Sequence, residues 1–65
     1  MIAVNGNKLP WKEGMTVSDA LAAMRYDFAH ITVTVNGAFV DPDDFDSCEL
    51  PDQADMKAIH LHHGG

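Results

Sequence analysis

The stretch HITVTVNGAFV, His30–Val40, decides the fold. Ile31, Val33 and Val35 alternate with Thr32 and Thr34, the period-two pattern of a strand with one buried face. An Asn-Gly pair, Asn36-Gly37, follows at once, and a short apolar piece, Ala38–Val40, comes after it. Asn-Gly between two such runs predicts a hairpin, because a type I′ turn needs positive φ at both central positions.

The same signal stands at the start of the chain. In MIAVNGNKLPW, Ile2 and Val4 share a face before Asn5-Gly6. Residues 1–5 and 7–12 are therefore expected to form a second antiparallel hairpin. Pro10 has no amide to donate, which suits its strand to a sheet edge. Between the hairpins, Thr16 and Asp19 have the spacing of a capping box, and Val17, Ala20, Leu21 and Met24 form one apolar stripe. This predicts a helix of about three turns, ending near Arg25–Asp27.

Downstream, Asp41 and Pro42 open a turn or single helical turn that Phe45 anchors to the core. The segment SCEL reads as a short extended piece and PDQAD as another turn. A last strand is expected from Met56 to Leu61, with Ile59 and Leu61 on one face and Met56, Ala58 and His60 on the other. One helix covering one face of a small mixed sheet buries both apolar surfaces, so the class is α+β, a roll.

The chain has 65 residues, room for one small domain, and its 46% hydrophobic content is ordinary for a globular protein and argues against disorder. The longest apolar run, Ala20–Met24, cannot span a bilayer, and the opening MIAVNGNK lacks the features of a signal peptide. A single cysteine, Cys48, permits no internal disulfide; a cytoplasmic protein is the expectation. The formal charge is −6, and seven acids (Asp41, Asp43, Asp44, Asp46, Glu49, Asp52, Asp55) fall within residues 41–55. Such a field repels phosphate backbones and anionic lipids, so neither nucleic acid nor membrane is an expected partner. The acidic run reads either as a solvated face or as a docking face for a basic protein, centred on Asp41, Asp43, Asp44, Asp46 and Glu49.

Several chemistries are excluded. The sequence has no phosphate-cradling glycine loop and no paired cysteines, and its acids lack the spacing of a calcium loop. Cys48 has no basic neighbour in sequence to lower its pKa, and reads as a small buried thiol. His60 and His62 would share a strand face and could grip a metal with His63 or His30, although no fixed zinc spacing is met. Beyond them stand Gly64 and Gly65. Glycine has no side chain to bury, so at a terminus it makes either a frayed end or a thin thread whose carboxylate can enter a narrow channel.

Taken in order, VNG at Val4–Gly6, EGMTVSDAL at Glu13–Leu21, VNG again at Val35–Gly37, then FV, the acidic segment to Phe45 and the closing Gly64-Gly65 resemble the ThiS-type sulfur carriers. These are ubiquitin-like proteins related to MoaD, and the resemblance covers essentially the whole chain. It implies a β-grasp topology, with the first and last strands side by side in the middle of the sheet. The domain would span 1–61 and a flexible diglycine tail 62–65. It also implies an apolar inward residue at the position that Lys57 occupies.

By the same resemblance the chain is a protein cosubstrate, not an enzyme, and binds no cofactor or metal itself. An E1-like activating enzyme of the ThiF or MoeB type, using ATP and Mg, would adenylate the carboxylate of Gly65. A cysteine desulfurase persulfide, or sulfide, would then convert it to a thiocarboxylate. Gly64, His63 and His62 would thread the partner's channel. A downstream enzyme such as thiazole synthase would take the sulfur, most simply for thiamine. Sister carriers serve cysteine or homocysteine synthesis, molybdenum or tungsten cofactors and tRNA thiolation. Two other readings of the residues stay open: a β-grasp docking module of the TGS type, and a metal-binding protein using the histidine tail.

Overall fold

Two hairpins and a lone strand build one sheet, and the turn chemistry explains where each strand stops. The computed structural model describes residues 1–26 and 30–60. Strand β1 (Ile2–Val4) pairs antiparallel with β2 (Asn7–Leu9) across Asn5-Gly6, whose φ values are 52° and 83°. Strand β3 (Ile31–Val35) pairs antiparallel with β4 (Ala38–Val40) across Asn36-Gly37, at 51° and 85°. Both are two-residue turns with positive φ at each central position, the I′ geometry that matches strand twist.

The closing strand β5 (Asp55–His60) lies between the hairpins. It runs parallel to β1 (Ala3↔Asp55, Val4↔Met56) and antiparallel to β3 (Ile31↔His60 through Val35↔Met56). The strand order is β2-β1-β5-β3-β4, a mixed five-stranded sheet with the first and last strands adjacent at its centre. With one helix on one face, this is the β-grasp roll.

The helix α1 (Val17–Ala23) starts as expected. The Thr16 hydroxyl accepts from the Asp19 amide at 3.3 Å, and the Asp19 carboxylate accepts from the Thr16 amide at 3.0 Å. It ends earlier than expected, after seven residues rather than about three turns. The Tyr26 amide donates to the Leu21 carbonyl and the Arg25 amide to that of Ala22, both at 3.0 Å. That is a Schellman closure with Arg25 at φ 59°, where glycine would be usual.

One core joins helix and sheet. Val17, Ala20 and Leu21 from α1 meet Ile2 and Val4 of β1, Ile31 and Val33 of β3, Val40 of β4, and Met56 and Ala58 of β5. Phe45, held behind a single 3₁₀ turn at Pro42–Asp44, and Leu50 complete it. The Asp41 carboxylate caps that turn by accepting from the Asp43 amide at 2.9 Å. The segment SCEL makes one isolated bridge, Glu49 against Thr16, flanked by Val17 N–H to the Cys48 carbonyl at 3.0 Å.

Two further expectations, on the second strand and on Lys57, need correction. The second strand ends at Leu9, not near residue 12, so Pro10 follows the edge strand instead of lying in it. The last strand begins at Asp55, and of its expected span Leu61 lies outside the described residues. Lys57 does not occupy an inward position: Met56 and Ala58 point into the core, while Lys57 is exposed beside Asp55, Nζ to Oδ2 3.7 Å. The inward residues of β5 are therefore Met56 and Ala58, and no inward residue stands at position 57. Among the described residues no helix is long and apolar enough to cross a membrane.

Candidate functional site

The candidate tail expected from the resemblance follows β5 in sequence, so the candidate site is built from what holds the last described residues of that strand. On its β3 side, β5 is paired as far as His60. On its β1 side the ladder is cut short, because β1 turns away at Asn5. The Asn5 amide still donates to the Met56 carbonyl at 3.0 Å. From there the Asn5 side chain takes over. Its Oδ1 accepts from the Ala58 amide and its Nδ2 donates to the Ala58 carbonyl, each at 2.8 Å. A carboxamide thus stands in for the missing peptide group and satisfies both polar groups of Ala58.

Tyr26 is fastened to the same point. Its amide closes α1 on the Leu21 carbonyl, and its hydroxyl accepts from Asn5 Nδ2 at 3.2 Å. Its ring meets that of His60 edge-on, centroids 5.3 Å apart at 85°. The end of α1, the first turn and the end of β5 therefore converge on Asn5, Tyr26 and His60. Neither Asn5 nor Tyr26 was singled out by sequence reasoning as a functional residue. Asn5 was legible only as a turn residue, since its partner Ala58 is 53 positions away.

The acidic face is a separate feature. Asp41, Asp43, Asp44, Asp46 and Glu49 are all exposed. Two have structural work: Asp41 caps the 3₁₀ turn, and Asp46 accepts a short hydrogen bond from the Ser18 hydroxyl. Asp52 and Asp55 lie apart from them, Asp52 against the terminal amine and Asp55 beside Lys57. The run of acids therefore divides, and its continuous part is 41–49.

Among the described residues, the sheet face away from α1 carries exposed side chains. Phe39 is 64% exposed and Ile59 60% exposed. The register sets Phe39 opposite Thr34, Thr34 opposite Lys57, and Thr32 opposite Ile59, so these five share the face.

Cys48 is half-buried against the core, less enclosed than expected. His60 is half-buried against Tyr26, and His30 immediately precedes β3 at φ 56°. Among the described residues no three His, Cys, Asp or Glu side chains converge as a metal site would require. His62, His63, Gly64 and Gly65 lie outside the described residues.

No protein-family model and no curated protein matches the chain. Solved structures do. The chain is similar to the crystal structure of the thiamine biosynthesis protein ThiS from Geobacter metallireducens, with a TM-score of 0.76 and 25% identity over 98% of this chain and 97% of that one. It is also similar to the solution structure of a thiamine biosynthesis protein from Geobacter metallireducens, with a TM-score of 0.75 and 24% identity over 98% and 86% of the two chains. The fold is of the ThiS type.

Proposed function

We propose that this ThiS-type β-grasp chain is a sulfur carrier protein, a cosubstrate whose Gly65 carboxylate is converted to a thiocarboxylate, most simply for thiamine thiazole synthesis. The observation that carries the reading is the fold itself: the central strand β5 leads straight into Leu61–Gly65, and the similar Geobacter protein is a thiamine biosynthesis protein.

The chemistry follows from what a carboxylate lacks. It is a poor electrophile until its oxygen is converted to a leaving group. An E1-like partner of the ThiF or MoeB type, with Mg-ATP, supplies that: the Gly65 carboxylate attacks the α-phosphorus, pyrophosphate leaves, and an acyl-adenylate remains. Sulfide then adds to the acyl carbon, AMP departs with the C–O bond electrons, and the thiocarboxylate is left. Where a desulfurase persulfide attacks instead, an acyl disulfide forms, and a second thiol cleaves its S–S bond to release the same product. Glycine at the last two positions leaves the acyl carbon unshielded and the thread narrow. The folded body is the handle by which partners hold it, and a thiazole synthase is the fitting acceptor.

The exposed acids at 41–49 give that handle a negative face, suited to a basic patch on the activating enzyme. Gly64, His63 and His62 form the lead into its channel. The reaction is checked by incubating the chain with a ThiF-type enzyme, Mg-ATP and sulfide and recording intact mass. The expected product gains one sulfur in place of one oxygen at Gly65. Deleting Gly65 abolishes the gain while leaving Trp11 fluorescence unchanged. Absence of the product across several such enzymes would remove the carrier reading.

A further inference from the structure

We infer that Asn5 and Tyr26 are positioning residues for sulfur transfer: their bonds secure β5 near its described end, at Ala58 and His60, and so limit the length of chain between the anchored strand and Gly65. The inference rests on the carrier reading and deepens it.

The argument starts from the unequal edges of β5. β3 pairs with it through His60, whereas β1 has turned away after Val4. Without a substitute, the Ala58 peptide would open on that side and the last residues would hang by one edge. Asn5 supplies the substitute with both atoms of its carboxamide. The same residue holds the first turn, at φ 52°, while its side chain reaches Ala58. Tyr26 adds a third attachment, tied to the carboxamide through its hydroxyl and to His60 through its ring edge.

The consequence is one of length. From His60, the five residues to Gly65 span at most about 17 Å when extended. If the strand frayed back to Met56, nine residues would remain, spanning at most about 30 Å. A longer, looser thread spreads the terminal carboxylate over a larger volume and lowers its effective concentration at a partner's nucleotide. An anchored origin keeps it in reach. Docking of the folded body is a separate contact, so the anchor acts on turnover, not on binding.

The test uses the full chain with a ThiF-type enzyme, saturating Mg-ATP and sulfide, at a temperature where Trp11 fluorescence reports every variant folded. Asn5→Gly keeps the turn conformation and removes the carboxamide. Tyr26→Phe removes only the hydroxyl, and Tyr26→Ala removes the ring contact as well. In Asn5→Gly the Ala58 amide is expected to exchange about tenfold faster or more. In Asn5→Gly and Tyr26→Ala, kcat for thiocarboxylate formation is expected to fall about tenfold with the carrier KM unchanged. Tyr26→Phe retains most of it. An unchanged kcat in folded Asn5→Gly overturns the inference, as does a loss confined to KM. A wild-type chain that gains no sulfur removes the carrier reading and this inference together; one that does, beside variants of normal kcat, removes the inference alone.

Discussion

Asn5 and Asn36 do the same two jobs at two places. Each sits at positive φ in a two-residue turn, and each sends its side-chain oxygen to an amide of β5: Asn5 to Ala58 at 2.8 Å, Asn36 to Asp55 at 2.9 Å. The backbone answers in kind, with the Asn36 amide on the Asp55 carbonyl at 2.8 Å. Asparagine is thus required twice over, for its tolerance of the left-handed region and for its acceptor. Replacing Asn36 by glycine keeps the first property and removes the second, so Asn36→Gly is expected to cost about 1 kcal/mol. Urea unfolding followed by Trp11 measures it; that indole is held half-buried by a 2.8 Å bond to the Leu50 carbonyl. Arg25 is the opposite case. It adopts φ 59° on an exposed surface, with its backbone, not its side chain, closing the helix. Arg25→Gly is therefore expected to stabilise the fold by about 1 kcal/mol, raising the urea midpoint without changing the slope. A lowered midpoint would mean that the Arg25 side chain has a structural role.

Among the elements, α1 shows what local chemistry makes legible. Its start could be read from the sequence because every part of the capping box lies within three residues of Thr16. Its end could not. The closure runs through an arginine where the usual marker is glycine, and the apolar stripe continues to Met24, one residue beyond the helix. The hairpins were legible for the same reason as the cap, since the Asn-Gly turns are local. The pairing of β1 with β5 joins opposite ends of the chain, and only the resemblance to ThiS-type proteins pointed to it. The anchor at Asn5 was hidden for want of any local sign that a turn residue also completes a distant ladder. A helix of seven residues is too short to persist alone, as isolated helices need about 12–15 residues. It depends on its cap and on the burial of Val17, Ala20 and Leu21. Thr16→Ala should cost about 1 kcal/mol through the lost cap. Leu21→Ala should cost about 2–5 kcal/mol, a large share of the roughly 3–10 kcal/mol expected for a domain this size. Thermal unfolding of both variants ranks the two effects, and a Thr16→Ala loss as large as that of Leu21→Ala would contradict the ranking.

At the scale of the whole molecule, the acidic run, the anchor and the exposed sheet face are built from different residues, so each can be altered without the others. The acids at 41–49 divide by structural duty. Asp41 and Asp46 hold the chain in place, while Asp43, Asp44 and Glu49 make no side-chain hydrogen bond or ion pair among the described residues. Three exposed like charges with no internal partner add repulsion to the folded state and leave the core untouched. Neutralising them as Asp43→Asn, Asp44→Asn and Glu49→Gln is therefore expected to change stability by less than about 0.5 kcal/mol per site. Their effect belongs to association. If the acidic face meets a basic patch on the activating enzyme, the attraction is screened over about 8–10 Å at ordinary ionic strength, and affinity falls as salt rises. The triple variant removes most of that field while keeping the capping carboxylates. It should bind the enzyme more weakly at low salt, chiefly through a slower association rate, and should show a shallower salt dependence than the wild type. At high salt the two should converge. Association rates measured from low to high sodium chloride decide the matter: parallel curves for the two proteins would leave the acids as a solvated surface and move the docking contact elsewhere, with the exposed Phe39 and Ile59 on the open sheet face the next residues to substitute.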